Sequence, residues 1–221
     1  MTKIHVYFMP GMAASSSIFE RIKLPTDTFE MHLLEWVLPE KAETLEHYAL
    51  RMAKKVKHDK AILVGVSFGG ILVQEMKSFL NTSKVIIISS VKSNVELPRK
   101  MKLAKTTKAY KLIPTQLFEN MEHLAKYTFG SSILKQRLKL YEKFLSVRDK
   151  SYLDWAIENI INWKRTKIDA EIIHIHGDAD EVFPIQYIKN AIHVKGGTHI
   201  MILTRYRWLN DNLPKIMLEE Q

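Results

Sequence analysis

Ser67 sits in the pentapeptide Gly65-Val66-Ser67-Phe68-Gly69, directly after the apolar run Ala61–Val64 and directly before an apolar stretch of helical period. A glycine-flanked serine between a strand and a helix is the arrangement that presents a hydroxyl on a sharp turn for attack on a carbonyl. So sharp a turn crowds the backbone against its neighbours and requires small residues two positions before and after the serine. Gly65 and Gly69 meet that requirement. The chain contains no cysteine, which excludes a thiolate nucleophile, a thiolate metal site and a disulfide framework. Every nucleophile candidate is therefore a hydroxyl. At neutral pH a hydroxyl needs a base to take its proton and an acid to orient that base.

Two downstream loops offer these groups. The first, His176-Gly177-Asp178-Ala179-Asp180-Glu181-Val182-Phe183-Pro184, follows the apolar run Ile172–Ile175, at the C-terminal end of an expected strand. Open parallel sheets carry their ligand chemistry at that edge. The second, Lys195-Gly196-Gly197-Thr198-His199, uses two glycines for a tight turn that presents a histidine ahead of the last helical stretch. The chain order is serine, aspartate, histidine, with both Asp178 and Asp180 placed to serve as the acid. Other chemistries have less support. His174 and His176 are the only close histidine pair and H-E-x-x-H spacing does not occur, so no metal is expected. No G-x-G-x-x-G or G-x-x-x-x-G-K loop is present for a phosphate, and no cofactor is required by the chemistry. Ser15, Ser16 and Ser17 read as turn and helix-cap residues rather than nucleophiles.

The elements that must position these groups alternate along the chain, short β-branched runs with longer stretches of helical period, as parallel strands joined by crossover helices do. Strands are expected at Lys3–Met9, Phe29–Trp36, Ala61–Ser67, Lys84–Ser90, Glu171–His176 and Ala191–Val194, in one open sheet. Ser17-Ile18-Phe19-Glu20 has capping-box spacing, Leu45, Ala49, Met52, Ala53 and Val56 form an apolar stripe, and Phe68–Leu80 follows the serine. Ile200–Met217 is the last helical stretch, which Pro214 should kink or end. Between Ser90 and Glu171 the alternation stops. Helical period there predicts pieces at Arg99–Leu112, Gln116–Tyr127, Ser132–Val147 and Tyr152–Trp163, with Trp155, Asn159 and Trp163 on one face that packs cap against core. The organisation is thus a core of residues 1–90 and 168–221 with a helical insertion over 91–167.

The 221 residues, 46% of them hydrophobic, suffice for one sizeable core. Of the net charge of +9, the insertion supplies the whole excess, with 17 Lys/Arg against 7 Asp/Glu, the rest of the chain holding 16 against 17. A basic face can bind nucleic acid through counterion release. Lysines exposed for solubility on helices with apolar stripes account for the charge more simply, and nucleic acid is not the expected partner. An acidic group on the substrate is the intermediate reading. The start Met1-Thr2-Lys3-Ile4-His5-Val6-Tyr7-Phe8 enters a strand without the regions of a signal peptide, which reads as cytoplasmic, and no apolar run approaches the length of a membrane span.

The elbow at Ser67, the acid loop and the histidine loop, in this order, resemble the α/β-hydrolase superfamily over essentially the full chain. The resemblance implies a mostly parallel sheet flanked by helices with an inserted helical cap, Ser67 as nucleophile, His199 as general base and then acid, and a carboxylate that fixes the histidine tautomer. Family loops of the form H-G-x-x-D with proline four residues on place that acid at Asp180, ahead of Pro184, leaving Asp178 to cap turn amides or pair with a nearby lysine; His176 takes a structural task. The oxyanion donors would be the backbone N–H of Phe68 and, from Met9-Pro10-Gly11-Met12-Ala13, that of Met12, although Pro10 stands where many members have histidine. Members commonly begin with an extra antiparallel hairpin, whereas this sequence starts directly at the strand before the oxyanion loop, so the expected sheet is a shortened one. The expected activity is serine hydrolysis of a carboxylic ester or thioester, on a small-molecule substrate whose acyl group fits an apolar cap pocket lined by Leu103, Leu112, Ile113, Leu117, Phe118, Leu124, Tyr127, Phe129, Leu134, Leu138, Tyr141, Phe144 and Leu145, with an anionic leaving group or carrier drawn by the cap lysines. The alternatives are acyl transfer, carbon–carbon bond hydrolysis, or a non-catalytic small-molecule binding module on the same fold.

Overall fold

In the computed structural model, which describes residues 2–113, 115, 144 and 146–219, six parallel strands form one sheet in the order β2-β1-β3-β4-β5-β6. The strands are β1 Ile4–Met9, β2 Phe29–Leu33, β3 Ala61–Val66, β4 Thr82–Ile88, β5 Ile172–Gly177 and β6 Ile192–Val194. The order runs outward from β1 in one direction to β2 and in the other to β3 and beyond. The crevice between the C-terminal ends of β1 and β3 is thus the switch point where ligands bind in open α/β sheets.

Alternation along each strand divides the core into two layers. Tyr7, Met9, Leu63, Val85 and Ile87 face one side, against the helices α1 Leu45–Ala53 and α2 Phe68–Met76. Val6, Phe8, Ile62, Val64, Ile86 and Ile88 face the other, against Ile18, Phe19 and the C-terminal helices. Each fully buried aliphatic side chain contributes roughly 1.5–3 kcal/mol, which is why the β3 residues are buried without exception. The α1 helix starts where Thr44 Oγ1 accepts the His47 N–H at 3.2 Å, and its buried Leu45, Tyr48, Ala49, Met52 and Ala53 form one stripe.

Within 91–167, α3 Arg99–Thr107 buries no residue, and a 3-10 turn, Ala109–Leu112, follows it after Lys108 in the left-handed region. The next helix, α4 Lys150–Ile161, starts at Asp149, whose carboxylate accepts the Tyr152 N–H at 3.0 Å. It buries Tyr152, Leu153 and Ala156 in the same layer as α1 and α2. The expected Gln116–Tyr127 and most of Ser132–Val147 lie outside the described residues, as do Leu117, Phe118, Leu124, Tyr127, Phe129, Leu134, Leu138, Tyr141 and Leu145 of the expected pocket lining. Of the expected lining that is described, Leu103, Leu112 and Ile113 are exposed and Phe144 is buried.

Three local expectations change. Ser17–Glu20 is not a capping box: Ser16–Phe19 is a 3-10 turn without a side-chain cap, because the Ser15 and Ser17 hydroxyls bond each other and the Ser16 hydroxyl bonds Glu35. The second strand ends at Leu33 rather than Trp36, and Trp36 turns inward to donate its indole N–H to Gly11 O at 2.8 Å. The last helical stretch divides into α5 Met201–Thr204 and α6 Tyr206–Leu218, and Pro214 lies inside α6 without ending it. Burial of Leu209, Leu213, Ile216 and Met217 on both sides of the proline offsets the missing backbone hydrogen bond.

Candidate active site

The β3 strand delivers Ser67 with φ 52° and ψ −119°, a conformation that suits glycine and strains any other residue. Four hydrogen bonds hold it there, one of them from the Ile71 N–H to Ser67 O at 3.3 Å. Ser67 N–H donates to Ile88 O at 2.9 Å, and Ser67 O accepts from Gly70 N–H at 2.9 Å and from the Ser90 hydroxyl at 2.7 Å. The crowding that demands glycine is explicit at two positions. A Cβ on Gly65 would lie 2.4 Å from Gly69 O, and one on Gly69 would lie 2.3 Å from Pro10 O. These contacts seat α2 on β3 and on the loop after β1. Phe68 is the first residue of α2, so its N–H has no acceptor within the helix, and the positive end of the helix dipole faces the serine.

His199 Nε2 lies 3.0 Å from Ser67 Oγ, and its Nδ1 lies 2.9 Å from Asp180 Oδ2 and 3.2 Å from Oδ1. Asp180 Oδ1 also accepts the N–H groups of Val182 at 2.8 Å and Phe183 at 2.9 Å. Burial favours the neutral acid, but the His199 hydrogen bond and charge, with the Phe183 amide, outweigh it and hold the Asp180 pKa below the usual carboxylate value. Asp178, exposed, accepts the Gly196 N–H at 2.6 Å instead, and Arg205 donates to Gly196 O at 2.9 Å. The acid loop and the histidine loop are therefore tied together by the residue that does not meet His199. Ala179 N–H adds a bond to Gly197 O at 2.9 Å.

The loop after β1 approaches the serine closely, since a Cβ on Gly11 would lie 3.5 Å from Ser67 Cβ. Met12 follows Gly11 in that loop, half-buried. Distant residues set the loop's shape: Trp36 binds Gly11 O, Tyr152 Oη accepts the Ala13 N–H at 3.2 Å, and Ser146 and Val147 both donate to Ala13 O, at 2.9 and 3.1 Å. Ala13 itself has φ 65°. Trp36 stacks on Phe68 with ring centroids 5.0 Å apart, which links the loop to the start of α2. Trp36, Ser90 and Tyr152 have no signature in the sequence, because each acts on a residue far away in the chain and carries no local motif.

Of the insertion's tryptophans, Trp155 donates to Glu43 O at 2.7 Å and Trp163 to Glu75 Oε1 at 3.0 Å, joining α4 and its exit to the core. His176 is buried and donates to Phe183 O at 2.8 Å, so its Nδ1 accepts from His174 Nε2 at 3.1 Å. Burial lowers both pKa values, reinforced at His174 by His176 and Lys92 and opposed at His176 by the Phe183 carbonyl and Asp180. His47 and His193 are exposed, and His5, His32 and His58, scattered in sequence, come together at the other end of the sheet.

No family model and no curated protein sequence matches the chain. Solved structures do. An enol-lactonase from Burkholderia xenovorans superposes with TM-score 0.70 at 14% identity, covering 99% of this chain and 93% of that one. A hydrolase from Pseudomonas aeruginosa gives TM-score 0.70 at 13% identity, with coverages of 98% and 91%. A thermophilic esterase from Thermogutta terrifontis gives 0.67 at 12%, with 98% and 90%.

Proposed function

We propose, for a chain whose fold is that of the α/β hydrolases, that it is a serine hydrolase cleaving a carboxylic ester or thioester through an acyl-enzyme. The observation that carries the reading is the continuous line from Ser67 Oγ through His199 to buried Asp180, with contacts of 3.0 and 2.9 Å. Ser67 Oγ attacks the carbonyl carbon while His199 Nε2 takes its proton, and Asp180 stabilises the imidazolium. The tetrahedral oxyanion lies between the N–H groups of Phe68 and Met12. Collapse expels the leaving group, which takes the proton from His199. Water, deprotonated by His199, then attacks the ester on Ser67 and releases the acid. The strained Ser67 backbone and the α2 N-terminus support this assignment, since both are retained here at the residue that faces the histidine. Residues 91–167 serve as the cap, and their lysines favour an anionic leaving group.

The test is hydrolysis of graded p-nitrophenyl esters and acyl thioesters by wild type and Ser67→Ala, with intact mass to detect the acyl-enzyme. Activity and adduct confined to wild type are expected, with turnover reduced roughly three to six orders of magnitude in the variant. A folded Ser67→Ala that keeps most of its activity refutes the reading. A wild type that labels with a fluorophosphonate at Ser67 yet hydrolyses nothing in the panel points to a narrower acyl substrate. One that neither labels nor hydrolyses points to a binding module.

A further inference from the structure

We propose that His5, His32 and His58, with Glu30 beside them, form a binding site for a divalent transition-metal ion of the zinc class that clamps the edge strand β2 to the rest of the sheet. Parallel pairing builds the site. His5 pairs with Glu30 and Tyr7 with His32, so strand alternation puts all four side chains on the α1 side of the sheet. The loop between α1 and β3 then brings His58 over them. One ring nitrogen from each histidine lies within 4.8 Å of the others, and all three residues are half-buried.

The distances suit imidazole ligation. His5 Nδ1 is 3.0 Å from His32 Nε2, and Glu30 oxygens lie 3.8 Å from each of these nitrogens. Two nitrogens on one tetrahedral zinc, at bonds of about 2.0–2.1 Å, stand about 3.3–3.4 Å apart, so the pair opens by only a few tenths of an ångström to admit the ion. The His58 ring stacks on His5 with centroids 3.4 Å apart and lies 4.9 Å from His32, so ion binding requires it to turn from that stack and direct a lone pair inward. Tyr7 Oη, which accepts the Lys57 N–H at 3.0 Å, is 2.7 Å from His58 Nδ1 and steadies that ring, as outer partners of metal-bound imidazoles do. Three imidazoles with a carboxylate or water as fourth ligand match zinc-class donors.

The site is at the N-terminal end of the strands, about six residues or roughly 20 Å from Ser67 along them. Its effect falls on the stability of β2 and the α1–β3 loop rather than on hydrolysis. The experiment uses the untagged full chain freed of metal with a chelator. Zinc is titrated by calorimetry, cobalt(II) is added as a spectroscopic substitute, and melting is followed with and without zinc. One equivalent of zinc at micromolar affinity, the visible spectrum of four-coordinate cobalt and a zinc-dependent rise in Tm are expected. His32→Gln and His58→Gln should each weaken binding by about tenfold or more and abolish the rise. No one-equivalent binding in the wild type overturns the proposal, and so does binding that both folded variants retain. If the variants do not fold, the wild-type stoichiometry and cobalt spectrum decide alone: a six-coordinate spectrum overturns it.

Discussion

Asp180→Asn separates the charge and orientation of the acid from the shape of its loop. The Asp180 side chain is 0% exposed, and Oδ1 already accepts two backbone N–H groups, from Val182 and Phe183. Asparagine has the same shape, and its oxygen retains both bonds, so the loop stays folded. Its NH2 then faces His199 Nδ1, 2.9 Å away in the parent, and can only donate. That fixes the imidazole proton on Nε2, which points at Ser67 Oγ from 3.0 Å and can no longer accept the serine proton. The imidazolium also loses its counter-charge, which the depressed Asp180 pKa shows is present at neutral pH. The expected loss in kcat is about ten-thousand-fold, or about 5 kcal/mol at 1.36 kcal/mol per tenfold. KM should change little, because Asp180 lies behind the histidine. The assay is steady-state kinetics at pH 7 on the ester that wild type turns over fastest, beside a thermal melt. A variant with native melting and kcat within about tenfold of wild type would refute the reasoning. Asp178→Asn is the control, expected to retain near-normal kcat because that side chain caps Gly196 at the surface.

Ser67→Gly should be more stable than Ser67→Ala by about 1 kcal/mol, opposite to the usual order, since φ 52° with ψ −119° strains alanine and suits glycine; urea unfolding of the two variants measures it. Glu43, buried and bonded by Arg51 at 2.7 and 3.0 Å, has its pKa lowered to about 2 despite the opposing effect of burial, because Arg51, the Glu40 amide and His47 favour the anion. A depressed carboxylate pKa stabilises the fold above the unfolded value, and the benefit disappears as pH falls through the folded one. Glu43→Gln should therefore cost about 2–3 kcal/mol at pH 7 and almost nothing near pH 2, as pH-dependent denaturation would show; a cost independent of pH refutes it. Neutralising Lys102, Lys105 and Lys108 together should reduce the salt dependence of kcat/KM on an anionic thioester, while an unchanged salt dependence removes the anionic-leaving-group reading.

The sheet was legible because its information is local. Val85-Ile86-Ile87-Ile88 and Ile172-Ile173-His174-Ile175 are apolar runs of the kind buried on both faces, and all six expected strands occur in one parallel sheet. The serine turn was legible for the same reason, since steric crowding two residues to either side of Ser67 leaves its mark as Gly65 and Gly69. Helix limits were less so. Ser17–Glu20 has the spacing of a cap, but competition from Glu35 and from a neighbouring hydroxyl redirects those side chains.

Residue order alone determined a strand-borne serine, an acid loop and a histidine loop at one edge of a parallel sheet, because strand alternation and backbone sterics act over a few residues. Tertiary structure decided which of two aspartates, two positions apart, meets His199 and which caps Gly196. It also decided that Tyr152 reaches back 139 positions to hold Ala13, that α4 enters the core, and that three scattered histidines meet over β1 and β2. These contacts depend on which strands pair and which loops pass over them. Only chain folding sets that geometry, and it leaves no local pattern by which the partners could be read in advance.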